Sequence, residues 1–311
     1  MQAPLHLDVA DAPPDGRAFW VKASDGVRIR FAIWDGSKGS VLIFPGRTEY
    51  IEKYGRVVSK LGKLGYGAIV IDWRNQGLSD RAARTGHVES YDEYQRDIEA
   101  VLHSPELLKQ KQPYHLMSHS MGGLIALRSI RSGIDVDVES CVFSAPMWGM
   151  GLAGPIKNTL KVFASIASTA GAGKQKVFGT KRGSYIKDAD PDNNSLMSDP
   201  ETAKWIQKQL STYPELALGG PSWAWLKASH KEISALSGFS VPDIPTLTLL
   251  GDLEAVVDPE AIRKRIASPE NGRLLLCQGA KHEVLMEKEH IQKPVWTAIE
   301  QLLEERSNPM S

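Results

Sequence analysis

The 311-residue sequence predicts an α/β fold: a mostly parallel mixed sheet with helices on both faces and a helical cap inserted over one end. Three observations predict it. All-apolar runs of strand length alternate with segments of helical period along most of the chain. The first strand signals follow one another with only tight turns between them, which makes the start of the sheet antiparallel. Between Met147 and Ser222 the alternation stops and no strand pattern occurs.

In chain order, "AFWVKA" and "VRIRFAIW" read as strands, the second with clear period-two alternation, and "SVLIFP" reads as a central, fully buried strand. Ser24-Asp25-Gly26 and Asp35-Gly36-Ser37 supply the turns. Ile51, Tyr54, Val57, Val58, Leu61 and Leu64 fall at helical spacing from Tyr50 to Leu64, and "YGAIVIDW" follows as a buried strand. The pattern continues with "YDEYQRDIEAVLH" (helix), "YHLMSH" (strand), "MGGLIALRSIRSG" (helix, Gly133 as its C-cap) and "VESCVFSAP" (strand). After the break come "IPTLTLLG" (strand), "DPEAIRKRIA" (helix), "GRLLLCQG" (strand) and a last helix over "KPVWTAIEQLLEER". Residues 1–146 and 223–311 are therefore expected to form the core, and 147–222 a helical cap or lid, because long insertions at such sheet ends usually serve binding.

Composition narrows the function. Lys plus Arg total 37 and Asp plus Glu total 37, so no net charge marks nucleic acid as a partner. Cys141 and Cys277 each sit in an apolar run and read as reduced core residues. The start, "MQAPLHLDVADAPPDGRAFW", lacks a signal-peptide pattern, and no stretch approaches a membrane-spanning length, so the expected location is cytoplasmic.

The chemistry begins at "YHLMSHSMGGLIAL", where Ser120 stands on a strand-to-helix junction. A sharp turn there lifts the Ser hydroxyl above the sheet edge, provided that the residues two before and two after it are small. Ser118 and Gly122 satisfy this for Ser120; for Ser118 as nucleophile, Leu116 would be far too bulky. Serine needs a base, and the base an orienting acid, both expected in loops after later strands. His282, directly after "RLLLCQ", is the expected base. His290 lies near the start of the last helix and reads as solvated, and His119 is given a structural role because its side chain points away from its neighbour Ser120. For the acid, Asp252, Glu254 and Asp258 follow "TLTLLG". Glu254 is far enough into the loop to reach back to a histidine; Asp258, the reserve, precedes Pro259 and also fits a helix N-cap. Two backbone donors must hold the developing oxyanion: the amides of Met121 and of Arg47, the latter in the loop "FPGRTEYIEKY", with the Arg47 side chain expected in solvent. "HEVLM" lacks the second histidine of a zinc motif, and "GAGKQK" lacks the Ser/Thr and first glycine of a phosphate loop, so no cofactor and no metal is expected.

With "FPGRTEYIEKY", "IDWRNQGLSDR", "SHSMGG", "LGDLEAVVD", "GAKHEV" and "LALGGPSWAWL" in this order, the chain resembles the α/β-hydrolase family, in its lysophospholipase and monoacylglycerol-lipase-like branch. The resemblance runs from about Phe19 to the last helix. It implies Ser120 as nucleophile, His282 as base, Glu254 where the family usually has aspartate, and Arg47 and Met121 as oxyanion donors. Asp72 to Asp80 is similar to the family's D-x-R-G-x-G-x-S-D loop, with Asn75 for its first glycine, and reads as structural. Pro45 for histidine and Ser118 for the elbow glycine are the other departures.

The implied substrates are lysophospholipids or monoacylglycerols, cleaved through an acyl-enzyme. A short-chain carboxylesterase and a non-catalytic ligand-binding protein of the same fold are the alternatives. In the cap, Ile156, Leu160, Phe163 and Ile166 share a helical face, with Lys157 and Lys161 off it. That face is expected to pack on the core; the sharper reading has it, with Trp148, Trp223 and Trp225, lining an acyl tunnel or touching a membrane surface transiently. Nothing in the sequence marks an oligomeric state.

Overall fold

A computed structural model describes residues 1–81, 86–151, 154–180, 183–266 and 272–305, without the side chains of 154–158 and 161. Among them, β1 (Gln2–Ala3), β2 (Arg17–Lys22), β3 (Arg28–Trp34), β4 (Gly39–Phe44), β5 (Tyr66–Asp72), β6 (Tyr114–His119), β7 (Val138–Ser144), β8 (Thr246–Gly251) and β9 (Gly272–Cys277) form one sheet. Their spatial order is β1-β2-β3-β5-β4-β6-β7-β8-β9, antiparallel as far as β5 and parallel from β5 onward. The helices are α1 (Leu7–Ala10), α2 (Gly55–Lys63), α3 (Asp92–Leu102), α4 (Met121–Arg131), α5 (Gly154–Thr169), α6 (Tyr185–Asp188), α7 (Pro200–Thr212), α8 (Trp223–Ala235), α9 (Pro259–Ile266) and α10 (Glu289–Glu304).

Every residue of β4, β5 and β6 is buried, as strands covered by helices on both faces must be. One apolar cluster joins Leu42, Phe44, Ile69 and Ile71 to α3 and α4; a second joins Val41, Ile43, Ala68 and Val70 to α2 and α10. Both cysteines are buried and free. No described helix is long and apolar enough to cross a membrane.

Three local features go beyond the sequence expectation. The helical run from Tyr50 splits into a 3-10 turn, Ile51–Tyr54, and α2, because Tyr50 is extended (φ −153°) and the chain must tighten before the α-helix begins. The last helix starts at Glu289 rather than at Lys293, so Pro294 lies inside it instead of opening it. The third is β3, whose period-two alternation puts Arg28 and Arg30 on the face opposite Ile29, Phe31 and Ile33. Arg30 on that face is fully buried. Its guanidinium bonds Glu52 through Nη1 and Nη2, each at 2.8 Å, Asp72 through Nε at 2.7 Å and the Pro4 carbonyl at 3.0 Å.

Asp72 in turn accepts the Ile51 and Leu78 amides, so this network carries the loops that follow β4 and β5. Asn75 takes the glycine position of the second loop at φ 64°, a conformation Asn tolerates better than most residues. Arg30→Met would leave two carboxylates buried without their cation. It is expected to lower unfolding stability by about 3–5 kcal/mol, read as a fall in urea midpoint. An unchanged midpoint would refute the stabilising role.

Between β7 and β8 the described residues form α5 to α8 and no strand. Asp199 caps α7 by accepting the Glu201 amide at 3.1 Å, with Pro200 at the first helical position. The expected apolar face of α5 is only partly buried: Leu160 packs on the core, as do Ala164 and Ala167 beside it, while Phe163 and Ile166 are 56% and 58% exposed. Ile156, Lys157 and Lys161 lie outside the described side chains. The buried side of α5, Leu160, Ala164 and Ala167, recurs at four and three residues, and the helix packs against α8.

Candidate active site

The C-terminal edge of the parallel strands gathers the residues expected from the sequence, as open α/β sheets place their sites. Ser120 follows β6 with φ 49° and ψ −116°, a strained conformation for any residue with a side chain. Its carbonyl accepts the Gly123 and Met147 amides, and its own amide donates to the Ser144 carbonyl at 3.0 Å, so three segments fix the turn. Gly122 permits it: a Cβ there would stand 2.0 Å from the Phe44 carbonyl oxygen. Ser118 is accommodated two residues earlier, buried, with its hydroxyl 3.4 Å from the Val142 carbonyl.

His282 follows β9 and Glu254 follows β8. The imidazole Nδ1 lies 2.7 Å from Glu254 Oε2, and both side chains are inaccessible or nearly so. Glu254 Oε1 accepts the amides of Val256 (2.5 Å) and Val257 (3.1 Å). Burial pushes the Glu254 carboxyl up, but the His282 hydrogen bond and charge with these amides more than offset it, and its pKa is lowered. A carboxylate held at Nδ1 leaves Nε2 to face the substrate side. Among the described residues no hydrogen bond of 3.5 Å or less joins Ser120 Oγ to Nε2; catalytic contacts of this kind often tighten only when substrate binds.

Asp258 accepts the Glu260 and Ala261 amides and so caps α9, and Asp252 accepts the Gly279 amide at 2.7 Å. His290 is exposed in α10.

In the loop after β4, the Gly46 amide donates to Glu49 Oε2 and the Thr48 amide to Gln76 Oε1, which sets the orientation of the peptide between them. The Met121 amide opens α4 and has no acceptor within that helix. Pro45 contributes its carbonyl, which accepts Trp73 Nε1 at 2.8 Å. The Arg47 side chain is not in solvent as expected. It folds under the inserted segment, with Nη2 donating to the Gly219 carbonyl at 2.7 Å and the guanidinium 5.2 Å from the Trp225 ring centre. Burial pushes its pKa down to about 10. The three tryptophans expected near the site are packed: Trp148 Nε1 donates to the Gly123 carbonyl, Trp225 Nε1 to Met121 Sδ, and Trp223 meets Phe178 edge-on.

Sequence reasoning missed the charged cluster behind this edge. Glu49, His119 and Glu283 bring ligand-type atoms within 4.8 Å of one another, the donor set of a metal site. Lys53 Nζ, however, bonds both carboxylates and already occupies the place of a cation. The signal was present: Glu49 and Lys53 stand four apart at the edge of a buried run, and Glu283 adjoins His282.

Residues 35–289 match a family model described as serine aminopeptidase, S33. A probable lysophospholipase L2 of Haemophilus influenzae is 29% identical over 270 residues, 86% of this chain and 84% of that protein. Lysophospholipase L2 of Escherichia coli strain K12 is 26% identical over 280 residues, 86% and 81% of the two chains. In fold, a soluble variant of monoglyceride lipase from Saccharomyces cerevisiae, solved with a substrate analogue, superposes with a TM-score of 0.74 at 19% identity, covering 95% of this chain and 98% of that one.

Proposed function

The chain belongs to the serine aminopeptidase S33 family of α/β-hydrolases, and from that premise we propose that it hydrolyses lipid-like monoacyl carboxylic esters through an acyl-enzyme. The observation that carries the chemistry is the His282–Glu254 hydrogen bond of 2.7 Å beside a strained Ser120 elbow. Ser120 Oγ attacks the ester carbonyl while His282 Nε2 takes its proton, and Glu254 holds the Nδ1–H tautomer and balances the imidazolium. The amides of Met121 and Arg47 receive the oxyanion, His282 returns the proton to the departing alcohol, and water then releases the fatty acid by the same steps.

The substrate class rests on the two lysophospholipase relatives, each matched over more than four-fifths of its length, so an ester rather than the peptide of the family description is the preferred bond. Residues 147–222 serve as a cap: Lys281 Nζ bonds the Asn194 carbonyl, the Glu283 amide bonds the Leu196 carbonyl, and Arg47 bonds Gly219, which ties this segment to the loops around the site. Exposed Val162, Phe163, Ile166 and Phe178 on the cap suit transient contact with a lipid surface. Fatty-acid release from lysophosphatidylethanolamine and from a monoacylglycerol, each in mixed micelles, tests the reading. The lysophospholipid is expected to be cleaved faster; release from neither, with short esters also intact, would sink it.

A further inference from the structure

Three segments of the site meet at one buried ammonium. Lys53 Nζ bonds Glu49 Oε1 and, at 2.6 Å, Glu283 Oε1. Glu49 Oε2 accepts the Gly46 amide and, at 2.7 Å, the Tyr54 hydroxyl. Glu283 is the residue after His282, and His119, the residue before Ser120, lies with Nε2 3.6 Å from Glu283 and 3.9 Å from Glu49. The His119 ring centre is 4.7 Å from that of His282. Contact with the loop after β4 is direct, since a Cβ on Gly46 would come within 2.9 Å of Glu49 Oε2 and 3.0 Å of His119 Cδ2.

We propose that Lys53 is a positioning residue for the acyl transfer: by clamping Glu49 to Glu283 it fixes the Gly46–Arg47 peptide against the loop that carries His282. The inference rests on the reading of Ser120, His282 and the Arg47 amide given above. Buried ion pairs seldom stabilise a fold better than apolar side chains of the same volume, so stability alone does not account for three ionisable groups at this point. What the cluster supplies is a defined distance. Glu49 cannot shift without pulling the Gly46 amide, and Glu283 cannot shift without moving His282, to which it is joined through one peptide. His119 Nδ1 contacts the Ser144 carbonyl at 3.1 Å, and burial lowers the pKa of its ring, so a neutral imidazole packs between the clamp and the base.

The test compares full-length wild type, Lys53→Met, Lys53→Arg and Glu283→Gln, with active sites counted by stoichiometric fluorophosphonate labelling and turnover of p-nitrophenyl butyrate expressed per labelled site. Counting sites removes the effect of a misfolded fraction. Lys53→Met is expected to lower kcat per site by about tenfold to a hundredfold with KM within about threefold, the range set by displacements of about 1 Å in catalytic geometry. Lys53→Arg, which keeps the cation, recovers most of that loss. Folded Lys53→Met with an unchanged kcat per site, whatever its melting temperature, overturns the clamp. If Lys53→Met does not fold, Glu283→Gln decides, since it keeps Lys53 paired with Glu49: a fall in kcat per site supports the clamp and an unchanged value overturns it. A wild type that neither labels nor turns over refutes the hydrolase reading instead, so the two failures are distinct.

Discussion

Ser120→Ala is expected to abolish fluorophosphonate labelling and to lower kcat toward any carboxylic ester by about a million-fold, leaving only what substrate binding and the oxyanion donors supply. The size of the effect follows from the geometry. Ser120 alone occupies the strained turn at φ 49°, with Met121 behind it opening α4, and Ser118 is buried two residues away, inside the strand. No neighbouring hydroxyl in "SHSMGG" can take over the attack. Alanine keeps the backbone bonds from Gly123 and Met147 to the residue-120 carbonyl, so the fold should persist and thermal unfolding should change little. Retained labelling in the variant would remove Ser120 from the mechanism.

Glu254→Gln is expected to lower kcat/KM by about ten-thousandfold, and Asp258→Asn by no more than about threefold. The amide side chain has one oxygen and one nitrogen to divide between two environments. The Val256 and Val257 amides demand an acceptor at the Oε1 position, which draws the Gln oxygen there and turns its NH2 group toward His282 Nδ1. That group can only donate, so Nδ1 must be the acceptor and Nε2 must carry the proton, the tautomer that cannot receive one from serine. Asp258 uses its carboxylate to cap α9, and asparagine caps as well as aspartate. Steady-state kinetics on a p-nitrophenyl ester separate the two. Equal or reversed losses would transfer the acid role to Asp258.

Much of this site is legible in the sequence. The apolar runs of β4 and β5 read as buried strands because strands covered on both faces have no solvated side, whereas β6 is as fully buried although His115, Ser118 and His119 lie in it. The elbow was legible from side-chain size around Ser120, and Gly122 shows why: its α-carbon passes so close to Phe44 that no Cβ fits. Other features escaped because they depend on chain segments remote in sequence. Arg47 was expected in solvent, yet it contacts Gly219 and Trp225, more than 170 positions away. On α5 the helical period identifies which residues share a side but not how far a neighbour covers it, so Leu160 and Ala164 are covered while Phe163 is left exposed.

Local period, residue size and position after a strand are enough to read the strand-helix order, the sharp turn at Ser120 and the place of His282 after β9 from the sequence. The fold pairs His282 with Glu254 rather than with Asp258, and it brings Glu49, Lys53 and Glu283 to one point. The physical reason is that period and size act over a few neighbouring residues. Charges separated by more than 200 positions, as Lys53 and Glu283 are, acquire a partner only when the sheet closes and removes water from around them.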